Sequence, residues 1–325
     1  MWDVKNKRMS FIIRKGELND LAQVLELIQE LSVIEYKIES EITIYDLIRD
    51  GFSNKEYFNL FVAELGEEII GFSIYHTAYS RYGKSMIIEE VFVTKAYKNK
   101  GIGLSLFSKN LEYANDKKIK QLEWAYNEGF PSLKLLYERA GAKILETTSA
   151  FSINKEVIYG DVDDDLILKD DIFIREGVQN DAYNIMLLMA QSNLEKGVFT
   201  TLTINDIIAD GFSEAPLYGT FVLEFNDKII GYILFCDAYS IMDQKTLNIA
   251  DSFVKEEYKG SDFESLLYKQ LVHHAKINQY NKISFLVSDF DKNHIKLCNE
   301  LGAKRQDGVR IVRIEYQALC NFINS

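Results

Sequence analysis

The sequence predicts an α/β protein built as two tandem copies of one domain, each a mixed sheet flanked by helices. Three observations predict it. Blocks of sequence recur in order about half a chain apart, short apolar strands cluster within each copy with helical stretches around them, and one strand runs into a glycine loop that opens a helix.

The repeat sets the domain plan. Arg14 recurs as Arg175, Asp20 as Asp181 and Gly141-Ala142 as Gly302-Ala303, each displaced by 161 positions. Asp50-Gly51-Phe52-Ser53 recurs as Asp210-Gly211-Phe212-Ser213, and Ala78-Tyr79-Ser80 as Ala238-Tyr239-Ser240, displaced by 160. One residue added between Ser240 and Ala250 restores the longer register. The copies are placed at 10–158 and 171–320, each of a size that can bury its own core. Between them, 159–170 carries Asp161-Val162-Asp163-Asp164-Asp165 and the start of Lys169-Asp170-Asp171, a like-charge run that favours solvent and reads as a linker without a specific ligand. Leu166-Ile167-Leu168 beside it is short and apolar enough for an edge strand.

Within the first copy, a strand is predicted over 11–15, then a helix from about Asn19 to Leu31, capped by Asn19 or Asp20. A short helix follows near 43–51. Strands are expected at 60–64, 69–78 and 87–93, the first two joined by a turn at Leu65-Gly66-Glu67. The helix over 101–116 places Leu104, Phe107, Leu111 and Ala114 on one apolar stripe, with Lys109, Glu112 and Asn115 free to face water. A strand over 121–126, a helix over 132–139 and strands at 143–145 and 150–153 complete the copy.

Composition narrows the function. Hydrophobic residues make up 47% of the chain with only 2 Pro, which places it among folded globular proteins rather than disordered or collagenous ones. No run of eighteen apolar residues exists, and Met-Trp-Asp-Val-Lys-Asn-Lys-Arg lacks the apolar core of a signal peptide, so a soluble, cytoplasmic protein without a membrane partner is expected. Cys236, Cys298 and Cys320 have no short ligand spacing, and His76, His273, His274 and His294 form no metal-binding pair, so neither a disulfide framework nor a metal site is expected. A net charge of −12 disfavours nucleic acid and favours cationic partners.

The chemistry concentrates at Glu89-Glu90-Val91-Phe92-Val93, followed by Lys98-Asn99-Lys100-Gly101-Ile102-Gly103-Leu104. A strand delivers carboxylates beside a loop of free backbone N–H groups at a helix start, which suits a phosphorylated ligand next to a general base. Gly101 and Gly103 let a pyrophosphate approach the main chain, and Lys98 and Lys100 add positive charge. Taken alone, Gly-x-Gly before a helix is more often a tight turn. The dinucleotide fingerprint fails because position 106 is Leu, and the Walker pattern fails for lack of Gly-Lys-Ser/Thr.

The run Lys98-Asn99-Lys100-Gly101-Ile102-Gly103 resembles the Arg/Gln-x-x-Gly-x-Gly/Ala signature of the GCN5-related N-acetyltransferase (GNAT) superfamily, with Lys in place of Arg or Gln. Ile13-Arg14, Glu35-Tyr36, Asp50-Gly51-Phe52, Val62-Ala63-Glu64, Ile70-Gly71-Phe72, Tyr97 and Tyr137-Glu138-Arg139-Ala140-Gly141-Ala142 extend the resemblance over almost the whole first half, closest to spermidine/spermine and thialysine acetyltransferases. The resemblance implies a splayed sheet in which the pantetheine arm of acetyl-CoA pairs with Val91, Phe92 and Val93, with Lys98 to Leu104 holding the rest of the cofactor. It implies Glu89 as base and Tyr137 as acid in direct transfer to an amine, and the Val91 N–H as donor to the thioester oxygen. Glu35, Tyr82 and Glu90 are the implied substrate-side residues for a small cationic amine such as a polyamine, diamine or lysine analogue. The family's Asn on the cofactor has no match: the counted position is Phe130, with Trp124 and Asn127 out of register, and Ser80 replaces a pocket Asp.

The second copy has lost these groups. By the same displacement Glu89 becomes Ala250, Gly101 becomes Asp262, Gly103 becomes Glu264 and Tyr137 becomes Cys298, so carboxylates stand where pyrophosphate would bind. A degenerate, non-catalytic copy is expected. Because the resembling enzymes are homodimers, it is expected to act as a built-in partner, giving an intramolecular pseudo-dimer that is itself monomeric or dimeric. The alternative is a non-catalytic module that senses acetyl-CoA or an amine.

Overall fold

The structure is a computed structural model that describes residues 10–128, 134, 137–138, 141–160, 171–259 and 262–323. The expected connector 161–170, its Leu166-Ile167-Leu168 strand, Phe130 and most of the 132–139 helix lie outside the described residues. The described part of the first half runs β1 (Ile12–Lys15), α1 (Leu21–Leu31), α2 (Ile44–Gly51), β2 (Asn59–Leu65), β3 (Glu68–Ser80), β4 (Gly83–Val93), α3 (Ile102–Asp116), β5 (Gln121–Asn127), β6 (Lys143–Ile144), β7 (Thr148–Asn154) and α4 (Lys155–Ile158). The second half repeats the plan as β8 (Ile172–Glu176), α5 (Ala182–Glu195), α6 (Ile204–Gly211), β9 (Gly219–Phe225), β10 (Lys228–Ser240), β11 (Gln244–Val254), α7 (Phe263–Ile277), β12 (Lys282–Ser288), α8 (Lys292–Glu300), β13 (Lys304–Arg305), β14 (Val309–Glu315) and α9 (Tyr316–Ile323).

The two sheets are not each made from one half. One is ordered β1-β2-β3-β4-β5-β14-β6, the other β13-β7-β12-β11-β10-β9-β8. Strand β14, near the end of the chain, lies antiparallel to β5 from Val309↔Asn127 to Glu315↔Gln121 and on its other side meets β6. Reciprocally, β7 lies antiparallel to β12 from Thr148↔Ser288 to Asn154↔Lys282 and meets β13. The expectation that each copy closes its own core is thereby corrected. Val312, Ile314 and Leu319 are buried in the core beneath the first sheet, while Phe151, Ile153 and Ile158 are buried in the second. At roughly 1.5–3 kcal/mol for each large apolar side chain removed from water, this exchange ties the halves together strongly.

The β3–β4 and β10–β11 hairpins are exchanged as well. Tyr239 and Ile241 pack with Leu21, Leu31 and Phe58 of the first half, and Tyr79 packs with Ile185, Tyr218 and Tyr232 of the second. The ring centroids are 4.5 Å apart in both Phe58–Tyr239 and Tyr79–Tyr218. Each half also keeps one ionic network: Arg14 bonds Asp20 and Glu64, and Arg175 bonds Asp181 and Glu224.

That network explains a departure at α1. Asp20 does not cap the helix with its side chain; its carboxylate instead accepts from Arg14 and from the Glu17 N–H. Helix α2 starts on a reciprocal cap, with Thr43 Oγ1 accepting from the Asp46 N–H and Asp46 accepting from the Thr43 N–H. The predicted stripe of α3 holds at Phe107, Leu111 and Ala114 and departs at its start, where Ile102 and Leu106 are buried with Asn110 while Leu104 is 51% exposed. Spacings of three and four admit both phases, and the sheet selects the one that lets Asn110 bond Ser73 at 2.8 Å. Among the described residues no helix is long and apolar enough to cross a membrane.

Candidate active site

Strand β4 builds the site by two irregularities. Ile74 pairs with Glu90 and Tyr75 with Ile88, so Glu89 is the extra residue of a β-bulge, a distortion that bends a strand and re-aims its side chains. On the other edge, the parallel pairing with β5 ends at Ile88↔Trp124. Beyond that point β4 and β5 diverge while β5 continues against β14, so 89–93 has an edge free for a ligand.

At this opening the Val91 N–H donates to Glu90 Oε1 at 3.1 Å, and Glu90 Oε2 accepts from the Tyr36 hydroxyl at 3.1 Å. Tyr36 ends a π-helical turn, Ser32–Tyr36, that continues α1 and closes on Lys37 with φ of 62°. Sequence reasoning gave Tyr36 no role, because a widened turn has no spacing signature. Glu35, on the same turn, lies 3.7 Å from Lys98, whose ammonium sits 5.2 Å from the Phe92 ring centre. Glu35, Val91, Phe92, Val93, Tyr97, Lys98, Asn99 and Gly103 line a cleft of about 210 Å³.

The loop over that cleft fits an anion. Gly101 is the N-cap of α3 with φ of 84°, a left-handed conformation that L side chains adopt at a cost. A Cβ there would meet nothing within 4 Å, and one on Gly103 would meet only Val93 Cγ2 at 3.7 Å. Packing therefore does not demand glycine at 103; an incoming diphosphate would. The first-turn N–H groups of α3 have no partner inside the helix and are available to such a group. Leu104, exposed on the outer side of that turn, keeps its backbone N–H in the set while its side chain stays out of the core.

Both carboxylates are shifted toward neutrality. Burial pushes Glu89 up to about 7, with the Lys282 ammonium and Ser240 hydroxyl of the second half opposing and Asp243 reinforcing the shift. Burial, then the neighbouring Glu35 and Glu89, push Glu90 up to about 8 against the Tyr36 and Val91 hydrogen bonds. Tyr137 is half-buried among Trp124, Tyr126 and Phe107, at centroid distances of 5.1, 5.9 and 6.1 Å. Burial raises its phenol, partly offset by the Trp124 indole, and the Glu90 charge raises it further.

Glu35 lines the cleft beside Lys98 and Gly103, Glu35 and Glu89 act through their charge on Glu90, and Glu90 acts in the same way on Tyr137. Tyr82 is not grouped with them. Its hairpin faces the second half: Arg81 bonds Asp251, and Gly83 abuts Leu202. The hairpin that does approach Glu89 is the one at Ser240 to Asp243, from the other half of the chain. The internal repeat, with the dimeric habit of the resembling enzymes, was the sequence signal for that reciprocity.

The corresponding region of the second half is filled. The bulge persists, with Leu234 opposite Asp251 and Phe235 opposite Ile249, leaving Ala250 extra. Parallel pairing of β11 with β12 ends at Asn248↔Ser284. Into the divergence α7 places Tyr268, buried, with its hydroxyl 3.2 Å from Ser252 Oγ and 2.8 Å from His294 Nε2. Asp262 is the N-cap of α7 and Glu264 lies in its first turn, and Cys298 is fully buried, its thiol pushed up to about 12 by burial.

The chain matches the acetyltransferase (GNAT) family over residues 21–142 and again over 187–303. Thialysine N-epsilon-acetyltransferase of Bos taurus is 30% identical over 149 residues, covering 42% of this chain and 87% of that protein. Spermidine/spermine N(1)-acetyltransferase-like protein 1 of Homo sapiens is 33% identical over 108 residues, which is 30% of this chain and only 16% of that relative. Among solved structures, a GCN5-related N-acetyltransferase from Sphaerobacter thermophilus superposes with a TM-score of 0.55 at 14% identity, over 95% of this chain and 96% of that one. A tandem GNAT protein from the clavulanic acid biosynthesis pathway gives 0.52 at 12% identity, over 94% and 99%. At those identities the structural likeness establishes the fold alone.

Proposed function

Because the chain belongs to the GNAT acetyltransferase family through both of its halves, we propose that its first half transfers an acetyl group to the nitrogen of a small cationic amine. The acceptor class is a polyamine, diamine or lysine analogue, and the second half serves as a non-catalytic partner within the same chain. Acetyl-CoA is the acyl donor of this family and supplies an activated thioester when bound. Gly101, Gly103 and the first-turn amides of α3 are the groups that would hold its diphosphate, and the free edge at 91–93 would align its arm.

An alkyl amine arrives protonated, so a base must take a proton before nitrogen can attack. Glu89, held near neutrality by burial, takes that proton directly or through a water. Glu35 and Asp243 add negative charge that draws the ammonium in, while Glu90, held largely neutral near pH 7, offers it hydrogen-bonding oxygens. Glu90 leaves the Val91 N–H so that this amide can face the thioester oxygen. Tyr137 keeps its proton at neutral pH and gives it to the departing thiolate.

One observation carries the reading: a bulged carboxylate with its proton affinity tuned to about 7 stands beside an anion loop in the first half, and neither survives in the second. The test is thiol release from acetyl-CoA against spermidine, short diamines, lysine and thialysine, with Glu89→Gln and Tyr137→Phe as controls. Turnover with at least one amine that falls about 10²–10⁴-fold in Glu89→Gln supports it. A chain that binds coenzyme A yet turns over none of the panel overturns it in favour of a binding module.

A further inference from the structure

The carboxylate of Asp251 stands in the second half where Glu90 stands in the first, one residue past the bulge in both strands. The two have opposite company. Glu90 has Tyr36, Glu35 and Glu89 around it. Asp251, only 5% exposed, accepts from Arg81 Nη2 at 2.7 Å and from the Tyr232 hydroxyl at 2.6 Å, with Lys196 Nζ at 3.6 Å. Arg81 belongs to the first half; it reaches across from the β3–β4 hairpin, and its Nη1 also donates to Asn193 Oδ1 at 3.4 Å. Lys196 occupies the position that Glu35 holds in the first half, by the same displacement of 161.

The pocket around that guanidinium keeps unused polar capacity. Asn193 Nδ2 is buried without a hydrogen-bond partner, on a residue 4% exposed, and Ser192, 0% exposed, acts on the Tyr232 hydroxyl. A carboxylate oxygen and an amide oxygen facing one planar cation form a receptor for a guanidinium fork. In the reciprocal direction the hairpin from the second half brings Ile241 and Met242 instead of an arginine, and the cation that half does supply near the first site is Lys282, which acts on Glu89.

We propose that the second half retains a cation-binding pocket, built on Asp251 and Asn193, that is permanently filled by this chain's own Arg81, and that emptying it creates a binding site for a guanidinium or small alkylammonium ion. The filled pocket holds the exchanged hairpin in place and explains why an acidic position in the second half leaves no vacancy for an external amine. The claim is about binding alone and stands whether or not the first half is catalytic.

The experiment uses the full-length chain carrying Arg81→Ala, titrated with N-ethylguanidine by calorimetry and thermal scan beside the parent and Arg81→Ala/Asp251→Asn. Taking the difference from the parent removes any binding at the first-half site. The expected result is one additional site per chain in Arg81→Ala, with a saturable Tm rise of about 2–4 °C at tenfold Kd, and neither in the double variant. Equal stoichiometry in Arg81→Ala and the parent, or a gain that survives Asp251→Asn, overturns the proposal. If Arg81→Ala does not fold unaided, refolding yield with millimolar N-ethylguanidine is the readout: recovery supports the pocket, and no recovery overturns it.

Discussion

Val312 lies directly opposite Trp124 in the first sheet, although one belongs to the last long strand of the chain and the other to the middle of the first repeat. The core that supports Tyr137 is therefore completed from the far end of the sequence. Ile314→Ala, at a position 1% exposed in that core, is expected to cost about 2–5 kcal/mol and to lower first-half activity as much as a mutation inside the first repeat would. Chemical denaturation together with acetyl transfer at a permissive temperature checks it. An Ile314→Ala protein of parental stability would contradict the strand exchange.

The span 10–158 alone carries β7 but lacks β14, which leaves β5 with an unpaired edge. It is expected to pair with a second copy of itself by exchanging β7, or to aggregate. Light scattering after gel filtration distinguishes these outcomes from a stable, fully active monomer, the result that the exchange rules out.

With Glu89 raised to about 7, the base is mostly protonated at pH 6 and mostly free at pH 8. The quotient kcat/KM for the best amine should climb with pH through that window, and the limb near 7 should vanish in Glu89→Gln. A profile unchanged by that substitution would remove Glu89 from the role of base.

Glu90 gives a stability test of opposite flavour. Its folded-state value is raised to about 8, so its contribution is fully present at acidic pH, below the unfolded value, and is lost as pH rises through 8. Glu90→Gln should therefore lose less Tm than the parent between pH 5 and pH 9. Parallel Tm curves for the two proteins would show that the carboxylate is not held in that environment.

Gly103→Ala separates ligand from fold. Since the added methyl would meet only Val93 at 3.7 Å, Tm should stay within about 2 °C, while KM for acetyl-CoA should rise about tenfold or more. Gly101→Ala should lose about 1–2 kcal/mol of stability as well, from its φ of 84°. Equal KM in parent and Gly103→Ala would place the diphosphate elsewhere.

Much of this was legible in the residues. The displacement that relates Arg14 to Arg175 marked the two copies, and the Gly-x-Gly run after an acidic strand marked the glycine loop that opens α3, because both can be read directly along the chain. What was illegible depends on distant choice. Strands β7 and β14 are equivalent in the repeat, so their side-chain alternation is satisfied equally by staying home or crossing over. The outward turn of Leu104 was hidden because helical spacing admits two phases. Arg81 belongs to no motif or spacing in the sequence; only the exchanged hairpin brings it to Asp251.

A homodimer must use one gene for two sites, so any residue suited to structural support in one subunit burdens chemistry in the other. Joining the two copies and crossing their final strands dissolves that conflict: the later half can trade a carboxylate for Lys196 and a glycine for Asp262 without silencing its neighbour. Deleting either half would delete a wall of the other, so each is bound to its neighbour by architecture, whatever chemistry it performs.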